Sequence, residues 1–224
     1  ASTAAESTTS SVVSETTSAA ADENAAAAAQ LLNDLTGSYQ ELWPVILADE
    51  YQQTWLDDCT ALVGEENAEA AFEKLSSMVT SDVYGEDAVE AYANGGGAYF
   101  CGFTNSLATL TFDGETSTIS GTDKDGNVLF SHTYHYIGME PVHGLYEFES
   151  DDADSGEFTY FFLAPDTSAE TYHIEFRYGS DAEALSQYDA GEYAYWVASG
   201  ISTDCDQTMI DNCIELFCTE NLAG

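Results

Sequence analysis

Hydrophobic positions change their period twice along the chain. Between residues 25 and 62, Leu31, Leu32 and Leu35, then Leu42, Val45, Ile46 and Tyr51, recur at steps of three and four, which predicts helix. Gly37 and Pro44 interrupt the pattern, so two shorter helices are expected there, because proline removes a backbone donor and crowds the preceding turn. A further amphipathic stretch begins at Asn67, with Ala71, Phe72, Leu75 and Met78 on one side. A short helical segment at 87–93 then stops at Asn94 and the triple glycine 95–97. Beyond it the period becomes two. Aromatic and β-branched runs at 109–112, 116–120, 128–136, 144–149, 158–163 and 172–178 predict strands. Asp113-Gly114 and Asp125-Gly126 mark hairpin turns between them. Short connections imply an antiparallel meander that closes into a barrel or folds into a sandwich. A helical turn at 181–187, a Tyr- and Trp-rich run at 189–197 and an amphipathic helix at 208–217 follow.

The last strand sorts its residues most sharply. Tyr172, Ile174, Phe176 and Tyr178 point one way; His173, Glu175 and Arg177 point the other. An imidazole and a carboxylate two residues apart on one face lie side by side, as adjacent ligands of a divalent ion do. The plainer reading is a half-buried strand whose polar face meets water.

Charge narrows the function classes. Forty-one acidic residues stand against three basic ones (Lys74, Lys124 and Arg177), a formal net charge of -38, so nucleic acid and anionic lipid are excluded as partners. The acidity is spread along the chain, where it solubilises the surface and concentrates cations around it. No run approaches a membrane span. Residues 1–29, almost all Ala, Ser, Thr and acidic residues, read as a disordered tether of the kind that joins an exported domain to a lipid anchor or cell wall, with the anchoring Cys upstream of the segment. Five cysteines, 59, 101, 205, 213 and 218, contain no Cys-x-x-Cys, which argues against a zinc ribbon or thioredoxin-type site. Disulfides pinning the C-terminal segment to the body are expected instead. Residues 30–200 are read as the main domain and 201–224 as a Cys-containing helical extension.

The ordered landmarks resemble the ZinT (YodA) family. Leu-Thr-Gly-Ser-Tyr-Gln-Glu-Leu-Trp-Pro-Val-Ile-Leu (35–47) is similar to its opening, Thr-Tyr-His-Tyr-Ile-Gly (133–138) to its Tyr-Lys-Tyr-x-Gly strand, and Gly-Leu-Tyr-Glu-Phe-Glu-Ser (144–150) to its Arg-Tyr-Leu-Phe-Glu strand. Ala164-Pro165, His173 and Gly179 fall where that family has Ala-Pro and a His-x-His strand ending in Gly, and 193–197 lies near its Trp-Pro-Thr-Tyr-Tyr. The resemblance covers roughly residues 36–200. It implies a mainly β, α+β fold, an antiparallel lipocalin-like (calycin) barrel flanked by helices. It implies an exported, non-catalytic protein, at the cell surface or in the periplasm and lipid-anchored or secreted, that captures or buffers Zn²⁺ and serves a zinc-uptake transporter component. The family's three histidine ligands transfer to Phe161, His173 and Glu175, so one imidazole is kept, one becomes a carboxylate and one is lost.

Among the other histidines, His132 and His135 differ by an odd number and so face opposite sides of a regular strand. The candidate metal ligands are therefore His173 and Glu175, joined by His135 or, next, His143. For His135 and His143 the plainer reading is a solvent-exposed imidazole. The acidic loops 123–127 and 151–157 match no EF-hand register; the first reads as a hairpin turn and the second as a solvated loop, with weak Ca²⁺ binding as the alternative. No Gly-x-Ser-x-Gly, HExxH or P-loop pattern is present, so catalysis is not expected. The competing function is a metal-free calycin-type surface module for a small apolar ligand or a partner protein, with Phe161 filling the space of the lost imidazole.

Overall fold

A computed structural model describes residues 9–165 and 173–223. Its elements run α1 (Thr9–Asp34), β1 (Gly37–Glu41), α2 (Leu42–Ile46), α3 (Gln52–Val63), α4 (Glu65–Ser77), α5 (Glu86–Ala93), β2 (Thr109–Asp113), β3 (Thr118–Thr122), β4 (Val128–Met139), β5 (Tyr146–Ser150), β6 (Tyr160–Leu163), β7 (His173–Gly179), α6 (Ala182–Leu185), β8 (Ala198–Ser202) and α7 (Gln207–Leu222). The eight strands form a closed antiparallel barrel in sequence order. β8 meets β1 through pairs such as Gln40↔Ile201 and Glu41↔Gly200, which leaves no sheet edge.

Strand alternation fills the interior. Leu110, Phe112, Ile119, Phe130, Tyr134, Phe148, Phe161, Ile174, Phe176 and Tyr178 form one buried cluster. Aromatic rings dominate it: Phe130 stacks on Phe158 at 4.0 Å between centroids and Phe161 on Tyr178 at 5.3 Å. Ala28, Leu31 and Leu32 at the end of α1 and Leu35 just past it, spaced i, i+3, i+4, i+7, join this cluster. Helix is thus present from Thr9 onward, where a tether over 1–29 was expected; residues 1–8 lie outside the described residues. Alanine-rich sequence favours helix once its C-terminal end has an apolar seat.

A second cluster lies outside the barrel. Leu42, Trp43 and Ile46 of α2, Trp55 and Cys59 of α3, Ala68, Ala71 and Leu75 of α4, and Ile210, Cys213, Ile214 and Cys218 of α7 pack with Cys101 and Ile201. α3 and α4 are joined by Gly64 alone, at φ 84°, a left-handed value that suits glycine. Trp55 fixes the layer to α2 by donating its indole N–H to the Ile46 carbonyl at 2.7 Å.

Three expectations need correction. Residues 37–41 form a strand rather than helix, and Pro44 sits inside α2, in the first turn where a missing donor costs nothing. A boundary at 200 would cut through β8, so the barrel extends to Ser202. The expected disulfides are not closed in this structure, where the cysteines stand as thiols.

Both Asp-Gly turns are present. Asp113 accepts from the Glu115 and Thr116 amides, and Asp123 from the Asp125 and Asn127 amides, so each side chain closes its own turn. Among the described residues no helix is long and apolar enough to cross a membrane.

Candidate metal centre

β7 is a wall between two environments. Ile174, Phe176 and Tyr178 point into the barrel, while His173, Glu175 and Arg177 point out. α2 docks on the outer wall of β8 and α7 packs on α2, so His173 and Glu175 face a seam between barrel and helices. They line one hollow of about 30 Å³ together with Leu42, Trp43 and Ile46 of α2 and with α7. That is room for roughly one ion with a water or two. α7 contributes Cys213, Leu216, Phe217 and Glu220, spaced i, i+3, i+4, i+7, one face of the helix.

The donors differ in readiness. His173 is half-buried and Glu175 exposed. Burial pushes the Cys213 thiol up to about 12. Cys101 is pushed up to about 12 as well, first by burial and then by the Glu175 carboxylate near it. Without a cation both thiols keep their protons, and a bound metal ion would have to displace the proton of a thiol that ligates it. The hollow offers nitrogen and oxygen from His173, Glu175 and, on its α7 side, Glu220, with the Cys213 thiol beside them. Among the described residues no three His, Cys, Asp or Glu side chains are arranged to hold a metal ion.

The other predicted ligands lie elsewhere. His135 pairs with Glu149 of β5, which pairs with Tyr160 of β6, which pairs with Gly179 of β7. It is three strands across and six residues along from His173, roughly 14 Å by 20 Å. It bonds Asp151 at 2.7 Å instead, with Glu149 at 3.9 Å. His132 falls on the opposite face of β4, as its odd spacing predicted, and bonds Asp152 at 2.6 Å.

His143 comes nearer. It shares with Glu175 a separate cavity of about 380 Å³, walled by Leu145, Ala164, Pro165, Tyr188 and Val197. Its ring lies 3.9 Å from that of Tyr188, and its amide donates to the buried Glu140 carboxylate at 2.7 Å. Glu175 is thus the partition between two hollows, His173 on one side and His143 on the other.

Phe161 is not the empty place of a third ligand. It opposes Tyr178 and points into the barrel, on the face away from His173 and Glu175. The residues that share their face are Phe162 of β6, opposite Arg177, and Ala164 just past β6, whose amide donates to the Glu175 carbonyl at 3.0 Å. Arg177, read from sequence as part of an ionisable stripe, is fully buried. Its guanidinium donates to the carbonyls of Leu185, Gln187 and Tyr193 and lies 4.2 Å over the Tyr188 ring. It fastens the α6 segment to the barrel. The α2 and α7 walls were not foreseen, although the spacing of 213, 216, 217 and 220 marks a helix face with both thiol and carboxylate on it.

No protein-family model and no curated protein sequence matches the chain. Among solved structures it is similar to the Zn(II)-bound ZinT-like domain of Streptococcus pneumoniae AdcA, with 16% identity over 82% of this chain and 89% of that one, at a TM-score of 0.51. It is also similar to Zn(II)-bound AdcA from the same organism, with 14% identity over 84% of this chain and a TM-score of 0.47, spanning 35% of that protein. The eight-stranded closed antiparallel barrel with its flanking helices is the fold of a ZinT-like domain.

Proposed function

We propose that this chain is an extracytoplasmic, non-catalytic protein that binds a divalent metal ion, zinc foremost, at the seam between β7 and α7. The observation that carries the reading is the placement of His173 and Glu175 side by side on the outward face of β7, lining one ion-sized hollow. The similar AdcA domain is Zn(II)-bound, which supports the choice of metal.

His173 supplies nitrogen and Glu175 a carboxylate oxygen, with Glu220 on the α7 side and water available for the remaining positions of a tetrahedron. Two firm protein donors are fewer than a structural zinc site uses, so the site suits capture and release better than permanent retention. The charge of -38 raises the local cation concentration and favours fast capture. Delivery to a zinc-uptake transporter component, and tethering at the cell surface or in the periplasm, complete the proposal.

Calorimetry with Zn²⁺ on tag-free protein tests it. Wild type should bind about one ion per chain, and His173→Ala and Glu175→Gln should each weaken binding by about tenfold or more. Equal heats in all three proteins would remove the assigned site. The competing reading, a metal-free module for a small apolar ligand, finds support in the cavity walled by Leu145, Ala164, Pro165 and Val197. That cavity lies outside the barrel, whose interior is packed with aromatic rings.

A further inference from the structure

We propose that Cys59 of α3 and Cys218 of α7 are a disulfide-forming pair that staples the C-terminal helix to the helical layer, the bond being made while the chain folds. Their sulfurs lie 3.9 Å apart and both residues are fully buried. A disulfide needs about 2.05 Å, so each sulfur has to move by roughly 1 Å, within the reach of a side-chain rotation. The other thiols are placed differently. Cys213 is five residues before Cys218, about 140° around the helix, and faces the metal hollow. Cys101 lies near Glu175, and Cys205 precedes α7 and is partly exposed.

The oxidation is a two-electron exchange. An external disulfide, small-molecule or protein, is attacked by one cysteine thiolate; its S–S bond breaks and one thiol leaves. The second cysteine then attacks the mixed disulfide, forming the internal S–S bond and releasing the second thiol. Two cysteine S–H bonds are lost, and both protons and both electrons end on the two thiols released.

Timing follows from burial. In the folded protein no surface of either residue is open to an external disulfide. The reaction therefore belongs to the unfolded or partly folded chain, before α7 docks, and the bond once closed is shielded from reductant in the same way.

The full chain, reduced and unfolded, would be refolded in a glutathione redox buffer, its remaining thiols blocked in acid, and its unreduced peptides mapped by mass spectrometry. A cross-linked peptide pair carrying Cys59 and Cys218 is expected. In a second arm, folded reduced protein given oxidised glutathione should form the same link on the order of a hundredfold more slowly. Because the two cysteines are 159 positions apart, the oxidised protein should melt higher than the reduced protein by ~10 °C. A refolded map without the Cys59–Cys218 pair, whatever other pair it holds, overturns the proposal. So does equally fast oxidation of the folded protein, or a melting temperature indifferent to reductant.

Discussion

Replacing Arg177 by methionine tests whether the buried guanidinium holds the α6 segment against the barrel. The substitution keeps most of the volume and removes every donor. Left behind are the carbonyls of Leu185 and Tyr193, both in buried residues, and that of Gln187, which is exposed and can rehydrate. Each buried orphan costs about 1–3 kcal/mol, and the lost contact with the Tyr188 ring about 1 kcal/mol more. Glu140, fully buried, loses the nearby cation as well. Against this, the folded state no longer desolvates a guanidinium, a charge whose affinity for its proton burial already lowers. The net expectation is a loss of about 3 kcal/mol, at the lower end of the range for breaking a buried charged network. In a chain of 224 residues that is a fall in Tm of about 6–12 °C. Urea unfolding followed by tyrosine and tryptophan fluorescence gives the free energy directly, and limited proteolysis should show new cleavage between Ser186 and Glu192. Arg177→Lys keeps a charge without the planar fork and should fall between the two. If Arg177→Met melts within 2 °C of wild type, or higher, the desolvation cost outweighs the carbonyl cage and the fastening argument is wrong.

Two other perturbations probe the frame around the site. A methyl group added at Gly114 would sit 2.4 Å from the Asn33 Cα and 2.6 Å from its nitrogen, so Gly114→Ala should push the β2–β3 turn away from the end of α1; a loss of about 2 kcal/mol in urea unfolding is expected, and no change would mean α1 is not docked there. The Asp123 carboxylate is held below its ordinary value of 3.8, chiefly by the Asn127 side-chain amide and then by the Asn127 backbone amide. Because its folded value is depressed, its contribution to the turn is present above the unfolded value and is lost as the pH falls through the folded one. NMR titration should place its midpoint under 3.8 and Asn127→Ala should raise it; a wild-type midpoint at or above 3.8 contradicts the hydrogen-bonded turn.

What was legible in the sequence depended on which force shaped each element. β2 to β5 and β7 announce themselves through alternation of apolar and polar positions, and β6, Tyr-Phe-Phe-Leu, through its aromatic run. β1 and β8, Gly-Ser-Tyr-Gln-Glu and Ala-Ser-Gly-Ile-Ser, carry little alternation; β8 is buried on both faces, and the pair is defined by closing the barrel. Arg177 shows the limit of reading polarity as exposure, since a residue that caps backbone carbonyls looks the same in sequence as one that meets water. His173 and Glu175 were placed on one face correctly by period two alone. Their surroundings were not, because α7 reaches them from forty residues downstream and sequence period says nothing about which wall a helix packs against.

Register decides how a fuller metal site could be rebuilt, and it separates this structure from a residue-by-residue transfer of the ZinT ligands. The transfer puts the missing imidazole at Phe161. In the barrel, Phe161 packs against Phe130, Tyr134, Phe176 and Tyr178, and a shift of one residue exchanges inside for outside. Phe161→His should therefore bury an imidazole among aromatic rings, cost about 3 kcal/mol or more in stability, and leave Zn²⁺ affinity unchanged. Ala164, the residue after β6, lies beside Glu175 on the outer face, and it borders the cavity that also contains His143. Ala164→His should add a nitrogen donor next to the Glu175 carboxylate and tighten Zn²⁺ by about tenfold or more, at least about 1.4 kcal/mol. His173→Ala in the same background tells the hollows apart. If Ala164→His recruits Glu175 and His143 across their shared cavity, affinity survives the loss of His173; if it completes the β7 pair, affinity falls with it. Tightening by Phe161→His and none by Ala164→His would mean that the strand register around β6 and β7 is shifted by one, and with it the placement of His173 and Glu175 outside the barrel.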